Sequence, residues 1–133
     1  MSDHVTGSQP APTAPLLRTT LVLAGISGAL GIMMMAAGAH VDTTGYVTRA
    51  GEMLLFHAPA LLALGALMQV RRIPILALSL VLLVAGLGLF CGDLISRAFL
   101  DQRLFPMSAP IGGTLLILGW ASIAVSAIRV RPH

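Results

Sequence analysis

Ile73–Gly92 reads IPILALSLVLLVAGLGLFCG, and no Asp, Glu, Lys or Arg interrupts it. A bilayer's hydrocarbon core of about 30 Å needs roughly 20 helical residues at about 1.5 Å each. Lipid offers the backbone no hydrogen-bond partners, so a stretch of this kind has to satisfy its own as a helix. Three more stretches share the property: Leu21–Ala39, Met53–Val70 and Phe105–Ile128. The chain therefore reads as an all-α membrane protein, an antiparallel bundle of four transmembrane helices with short loops.

The composition agrees. Of the 133 residues, 56% are hydrophobic and 10% charged, with a mean hydropathy of +0.91. A soluble domain carries about 25% charged residues. Four spans and their connections use nearly all of the chain, which leaves no room for a soluble catalytic domain. The net charge of +3 comes entirely from Arg at helix ends. Scattered in this way, the cations do not form the contiguous basic face that nucleic acid requires. The lone cysteine, Cys91, lies inside the third span and excludes an intrachain disulfide. It reads as a small packing residue.

Residues 1–15, with Pro10, Pro12 and Pro15 among small residues, read as a disordered tail. One domain follows, over 16–133, with spans at about 16–39, 46–70, 73–99 and 108–128. A cleaved leader fits the first span loosely, through Arg18 and Ala37-Gly38-Ala39. However, the apolar run exceeds the about 7–15 residues of a signal peptide, and a Pro-rich lead precedes it.

The first span is rich in small residues. Ala24/Gly28 and Ser27/Gly31 have the spacing that lets helix backbones approach closely, and Gly88 and Gly92 repeat it in the third span. Gly25, Gly28, Gly31, Gly88, Gly92, Gly112 and Gly113 are the expected packing glycines. Asp42-Thr43-Thr44-Gly45 reads as a turn. Pro59 lies inside the second span, where it removes a donor and predicts a kink or a weak first turn and a half. Arg71-Arg72 read as a tight turn before Pro74, which suits a first helical turn. Ser108 reads as a cap for the fourth span. Trp120 sits too deep for an interfacial belt, so its N–H is expected to reach a serine such as Ser27 or Ser79.

Most remaining ionisable residues gather at one end: His40, Arg49, Glu52, His57, Asp93 and Arg97. Within a membrane such groups face protein and find partners. The expected arrangement is a structural network. His40 and His57 would bond across helices, with ion pairs Asp93–Arg97, at i, i+4, and Arg49–Glu52. A site for a small ligand, lipid head group or quinone is the alternative, and a metal or haem site a more distant one. No His pair shares a helix face in metal-binding spacing. Met33-Met34-Met35 point about 100° apart on a helix, so three thioethers cannot converge on one ion.

No charged residue falls at the midplane of any span, where proton pumps and ion-coupled carriers usually place one. No catalytic signature is present, and no cofactor or metal is expected. With four spans, both termini and the Arg71-Arg72 turn share one face. That face holds five Arg against three on the other, which places the termini in the cytoplasm.

The order Gly38-Ala39-His40, His57-Ala58, Phe90-Cys91-Gly92, Pro110-Ile111-Gly112-Gly113 and Gly119-Trp120 resembles the domain of unknown function 423 family. This family of small four-helix membrane proteins includes animal transmembrane protein 256. The resemblance runs from about Gly25 to Trp120. The family often has Gly after His40, where this chain has Val41. It often reads Phe-Ser-Gly-Ser-Leu-Tyr where this chain has Cys91, Asp93 and Ile95. The resemblance implies a multi-pass protein of the bacterial inner membrane and carries no established activity. The expected function is a non-catalytic structural or accessory one, with the bilayer and a larger membrane complex or further copies of the chain as partners. A small transporter or ligand-binding module using His40, His57 and Asp93 is the second reading, and a redox or enzyme subunit the third.

Overall fold

The computed structural model describes residues 15–129, so the proline-rich stretch before Pro15 lies outside the described residues. Four helices follow one another: α1 Pro15–Val41, α2 Tyr46–Val70, α3 Pro74–Leu100 and α4 Ser108–Ser126. A 3₁₀ turn, Ala127–Arg129, closes the described chain. Each of the four is long and apolar enough to cross a membrane. Pro15 opens α1 rather than ending the tail, because proline's fixed φ and missing N–H suit the first turn of a helix. Pro59 does not break α2, which is continuous from Tyr46 to Val70.

Short connections make each helix the antiparallel neighbour of the next. α1 packs on α2, α4 packs on α3, and α2 meets α3, so α2 and α3 are the inner helices. The described molecule is two hairpins joined along their inner helices. The buried core reflects this. Leu54, Leu61 and Leu64 on α2 face Leu76, Leu80, Leu83 and Leu87 on α3. Their spacings of three, four or seven residues put each set on one helical stripe.

Each hairpin is drawn together at a pair of glycines. A Cβ on Gly51 would lie 3.0 Å from the carbonyl oxygen of Gly31, and one on Gly86 would lie 2.8 Å from that of Gly112. Without side chains at these crossings the backbones come nearly into contact, which maximises dispersion contact in a solvent that gives helices no hydrophobic drive to associate. On α1 the seam continues through Thr20 against Gly65 and Gly38 against Thr48.

The expected packing glycines divide on this map. Gly31 and Gly112 are at the crossings, Gly92 lies beside Leu104, and Gly28 makes ordinary contact with Ala58. A Cβ added at Gly25, Gly88 or Gly113 would meet nothing within 4 Å, so these three are not points of close backbone approach between the helices, a correction to their expected role. The glycine that α3 uses is Gly86. It lies two residues, and hence about 200° around the helix, from Gly88.

Candidate functional site

Asp93 is the most completely enclosed charge among the described residues, with no exposed surface. It projects from α3 two turns before that helix ends. Its Oδ2 lies 2.6 Å from Arg97 Nη2, the expected i, i+4 ion pair. Its Oδ1 accepts the backbone N–H of Leu104 at 3.1 Å and the hydroxyl of Ser108. One buried carboxylate thus receives donors from its own helix, from the α3–α4 loop and from the start of α4. A charge removed from water needs such a set, since attraction to a single partner seldom offsets desolvation.

The chain folds back onto Asp93 because α3 ends in a left-handed residue, Asp101 (φ 54°). The loop then runs beside the helix it has just left, and Ser96 Oγ donates to the carbonyl of Gln102 at 2.8 Å. A second left-handed residue, Met107 (φ 69°), turns the chain into α4. Ser108 is therefore not the N-cap. Met107 occupies that position, and the Ser108 hydroxyl turns inward to the carboxylate and to Phe105 O at 2.9 Å. A capping hydroxyl accepts from the free N–H groups of the first turn, whereas this one donates, and a carboxylate is a strong acceptor for it.

Arg97 extends the network toward the other hairpin. Its guanidinium carbon lies 5.8 Å from the ring centroid of Tyr46, the first residue of α2, a cation–π arrangement. Its buried Nε–H has no hydrogen-bond partner among the described residues.

His57 forms a separate site, near the middle of α2. The ring is buried. Nδ1 lies 2.7 Å from the carbonyl of Met53, so it carries the proton and donates. Nε2 is then an acceptor, and it receives the Trp120 indole N–H at 3.2 Å. The two rings are 6.0 Å apart and inclined by 58°. Both ring nitrogens are satisfied by a neutral imidazole of one tautomer. The expectation that Trp120 bonds to Ser27 or Ser79 is thereby corrected. Ser79 instead pairs with Ser122 at 2.6 Å, joining α3 to α4. His57 and Trp120 are 63 residues apart in the chain, so only the fold brings them together.

The remaining candidates stay apart. His40, Arg49 and Glu52 are exposed, and the only ion pair among the described residues is Asp93–Arg97. The expected Arg49–Glu52 pair and the His40–His57 bond are absent among these residues. Side chains three apart on a helix still need orientations that water at an exposed rim does not enforce. No group of three or more His, Cys, Asp or Glu among the described residues converges as a metal site.

The spacing did not reveal the part played by Asp42. Its Oδ1 accepts the backbone N–H and hydroxyl of Thr44 at 3.2 and 2.9 Å, and its Oδ2 accepts the N–H of Thr48 at 2.9 Å. The backbone N–H of Thr48, with smaller contributions from the other donors, holds its carboxyl at about 2, below the ordinary 3.8. Asp followed two residues later by a hydroxyl residue and then a glycine was the available signal. Cys91, also buried, donates its thiol to the Ala50 carbonyl at 3.6 Å and so contributes to the α2–α3 contact. Beside it, α1, α2 and α3 enclose an apolar groove of about 240 Å³.

The pattern of the DUF423 family, described as a protein of unknown function, matches residues 27–113, which include both stapled loops and His57. The chain belongs to the DUF423 family. It is 37% identical over 122 residues to the UPF0382 inner membrane protein YgdD of Escherichia coli (strain K12), covering 86% of this chain and 92% of that protein. It is 30% identical over 118 residues to a UPF0382 membrane protein of Haemophilus influenzae, covering 84% and 94% respectively. No solved structure matches. This DUF423 chain is a small four-helix membrane protein of a family whose activity is unknown.

Proposed function

We propose that this DUF423 protein is a non-catalytic structural or accessory component of the bacterial inner membrane, acting through association with a larger membrane complex. The observation that carries this reading is the engagement of Asp93 within the fold, Oδ1 by hydrogen bonds and Oδ2 by its ion pair with Arg97. Arg97, Leu104 and Ser108 take up the carboxylate that an enzyme or carrier would need free. The His57 ring is likewise held between Met53 and Trp120. Ionisable groups committed to structure suit a scaffold, whereas carriers keep theirs in contact with a pathway. The broad exposed apolar faces of α1 and α4 suit contact with lipid or with other membrane helices.

Extraction in mild detergent followed by tagged purification tests the reading. A discrete complex larger than one chain is the expected result, and a chain that always migrates alone contradicts it. His57→Ala separates this reading from a ligand-binding one. It is expected to lower stability, whereas loss of a measured binding or flux from a normally stable protein supports the alternative.

The inner-membrane location is supported by that of the Escherichia coli relative, an inner membrane protein by name. The excess of Arg on their side supports a cytoplasmic location for both termini. Labelling of single-cysteine variants in intact and lysed cells checks this. Ends found on opposite faces contradict four crossings, and ends found together outside reverse the orientation.

A further inference from the structure

The two rims of the bundle are charged differently. Asp42, Glu52, Asp93 and Asp101 all belong to the rim where α2 begins and α3 ends. At the opposite rim the described charges are Arg18, Arg71 and Arg72, all exposed, and no described acidic side chain accompanies them. Arg71 and Arg72 occupy the turn between α2 and α3. That turn is fixed: the Arg71 backbone is extended and its N–H donates to Leu67 O at 2.8 Å, while Pro74 starts α3.

Two apolar hollows meet at this turn. One, of about 230 Å³, lies between Leu16 of α1, Met68 of α2 and Ala77 of α3, with both arginines in its wall. The other, of about 300 Å³, runs along the outer side of α3 over Ile75 and Leu78. Ile73 and Pro74 line both. Each hollow extends about one helical turn along α3, from Pro74 to Ala77 in one and to Leu78 in the other.

We propose that this turn is a binding site for one anionic phospholipid. Arg71 and Arg72 hold the phosphate, and an acyl chain descends into each hollow. The cations select phosphate, which a guanidinium meets with two parallel hydrogen bonds. They stand at the end of the apolar stretch, where head groups lie. The hollows select an amphiphile over free phosphate, since an inorganic anion leaves them unfilled. Net negative charge is preferred because a zwitterionic head group carries its own cation, which competes with the guanidinium groups.

The test titrates the purified full chain, in mild detergent, with phosphatidylglycerol, phosphatidylcholine or inorganic phosphate. Retained lipid is counted by native mass spectrometry and the melting midpoint is followed. Phosphatidylglycerol is expected to be retained roughly tenfold better than phosphatidylcholine, the discrimination expected of a charge-assisted hydrogen bond. Arg71→Gln with Arg72→Gln abolishes that preference. Ala77→Phe, which fills one hollow and leaves both arginines, lowers phosphatidylglycerol retention. Arg103→Gln, an exposed cation at the other rim, leaves it unchanged. Equal retention of the two lipids overturns the proposal, as does equal stabilisation by phosphate alone. So does unaltered phosphatidylglycerol binding by a folded Arg71→Gln/Arg72→Gln protein. Full retention by Ala77→Phe reduces the site to diffuse surface charge and overturns it too.

Discussion

The two hairpins solve one problem in opposite ways. In each, an aspartate gathers backbone and hydroxyl donors from a loop that must reverse the chain at the membrane surface. Asp42 does so on the outside of the α1–α2 turn and has no cation partner among the described residues. Asp93 does so from inside the α3–α4 hairpin, fully buried and paired with Arg97. The difference is one of solvent. Water near Asp42 solvates whatever its partners do not, so the bonds add little and are individually dispensable. Asp93 has no such reserve, and each partner becomes necessary once the charge is buried.

The largest effect is therefore expected at Asp93. Asp93→Ala leaves Arg97 and the Leu104 N–H without their acceptor and the Ser108 hydroxyl with Phe105 O alone, at a cost of about 3–5 kcal/mol. Unfolding in mixed detergent measures it. Asp93→Leu combined with Arg97→Leu is expected to recover part of that loss, because the uncompensated charge is removed. Loss no greater than at Asp42 erases the distinction between the hairpins.

Next come the glycine crossings, where the hairpins should behave alike. Gly51→Val and Gly112→Val each force backbones apart, and the expected cost is about 1–3 kcal/mol. Gly88→Ala meets nothing within 4 Å and should change thermal stability by no more than about 0.5 kcal/mol. A large loss there would show that this face of α3 packs against something outside the chain.

Trp120→Phe addresses the link between hairpins. It removes the donor to His57 Nε2 and is expected to cost about 1 kcal/mol. The same denaturant titration detects it. No change would show that the two hairpins are held by α2–α3 contact alone.

The smallest effect is at Asp42, and pH reveals its sign. Its carboxyl titrates lower in the folded chain, at about 2 against 3.8, so the stability it contributes is complete above the higher value. That stability is lost as pH falls through the lower one. Asp42→Ala should lower the melting midpoint slightly at neutral pH, and the gap to the parent should close across that acid interval. A gap that persists at the lowest pH removes the carboxylate from the account.

Much of this was legible before any fold. Charge-free runs located all four helices but missed their ends by up to eight residues, at Gly92 against Leu100 in α3, and the i, i+4 spacing gave Asp93–Arg97. The partners of Trp120 and Ser108 were not legible. Ser108 read as a local helix cap and Trp120 as reaching a serine on another helix, and each has a different partner that only the fold delivered. Sequence spacing favoured Gly88 because it counted residues four apart. It had no means of knowing which face of α3 met α4.

Hydropathy alone determined that the chain crosses a membrane four times, because lipid penalises every unsatisfied peptide group and the helix answers that penalty locally. It was silent on which face of each helix is buried. In water, apolar and polar faces differ and mark the interior. In lipid both faces are apolar, and only close packing at Gly31/Gly51 and Gly86/Gly112, together with the partners of Asp93 and His57, fixes how the helices turn toward one another.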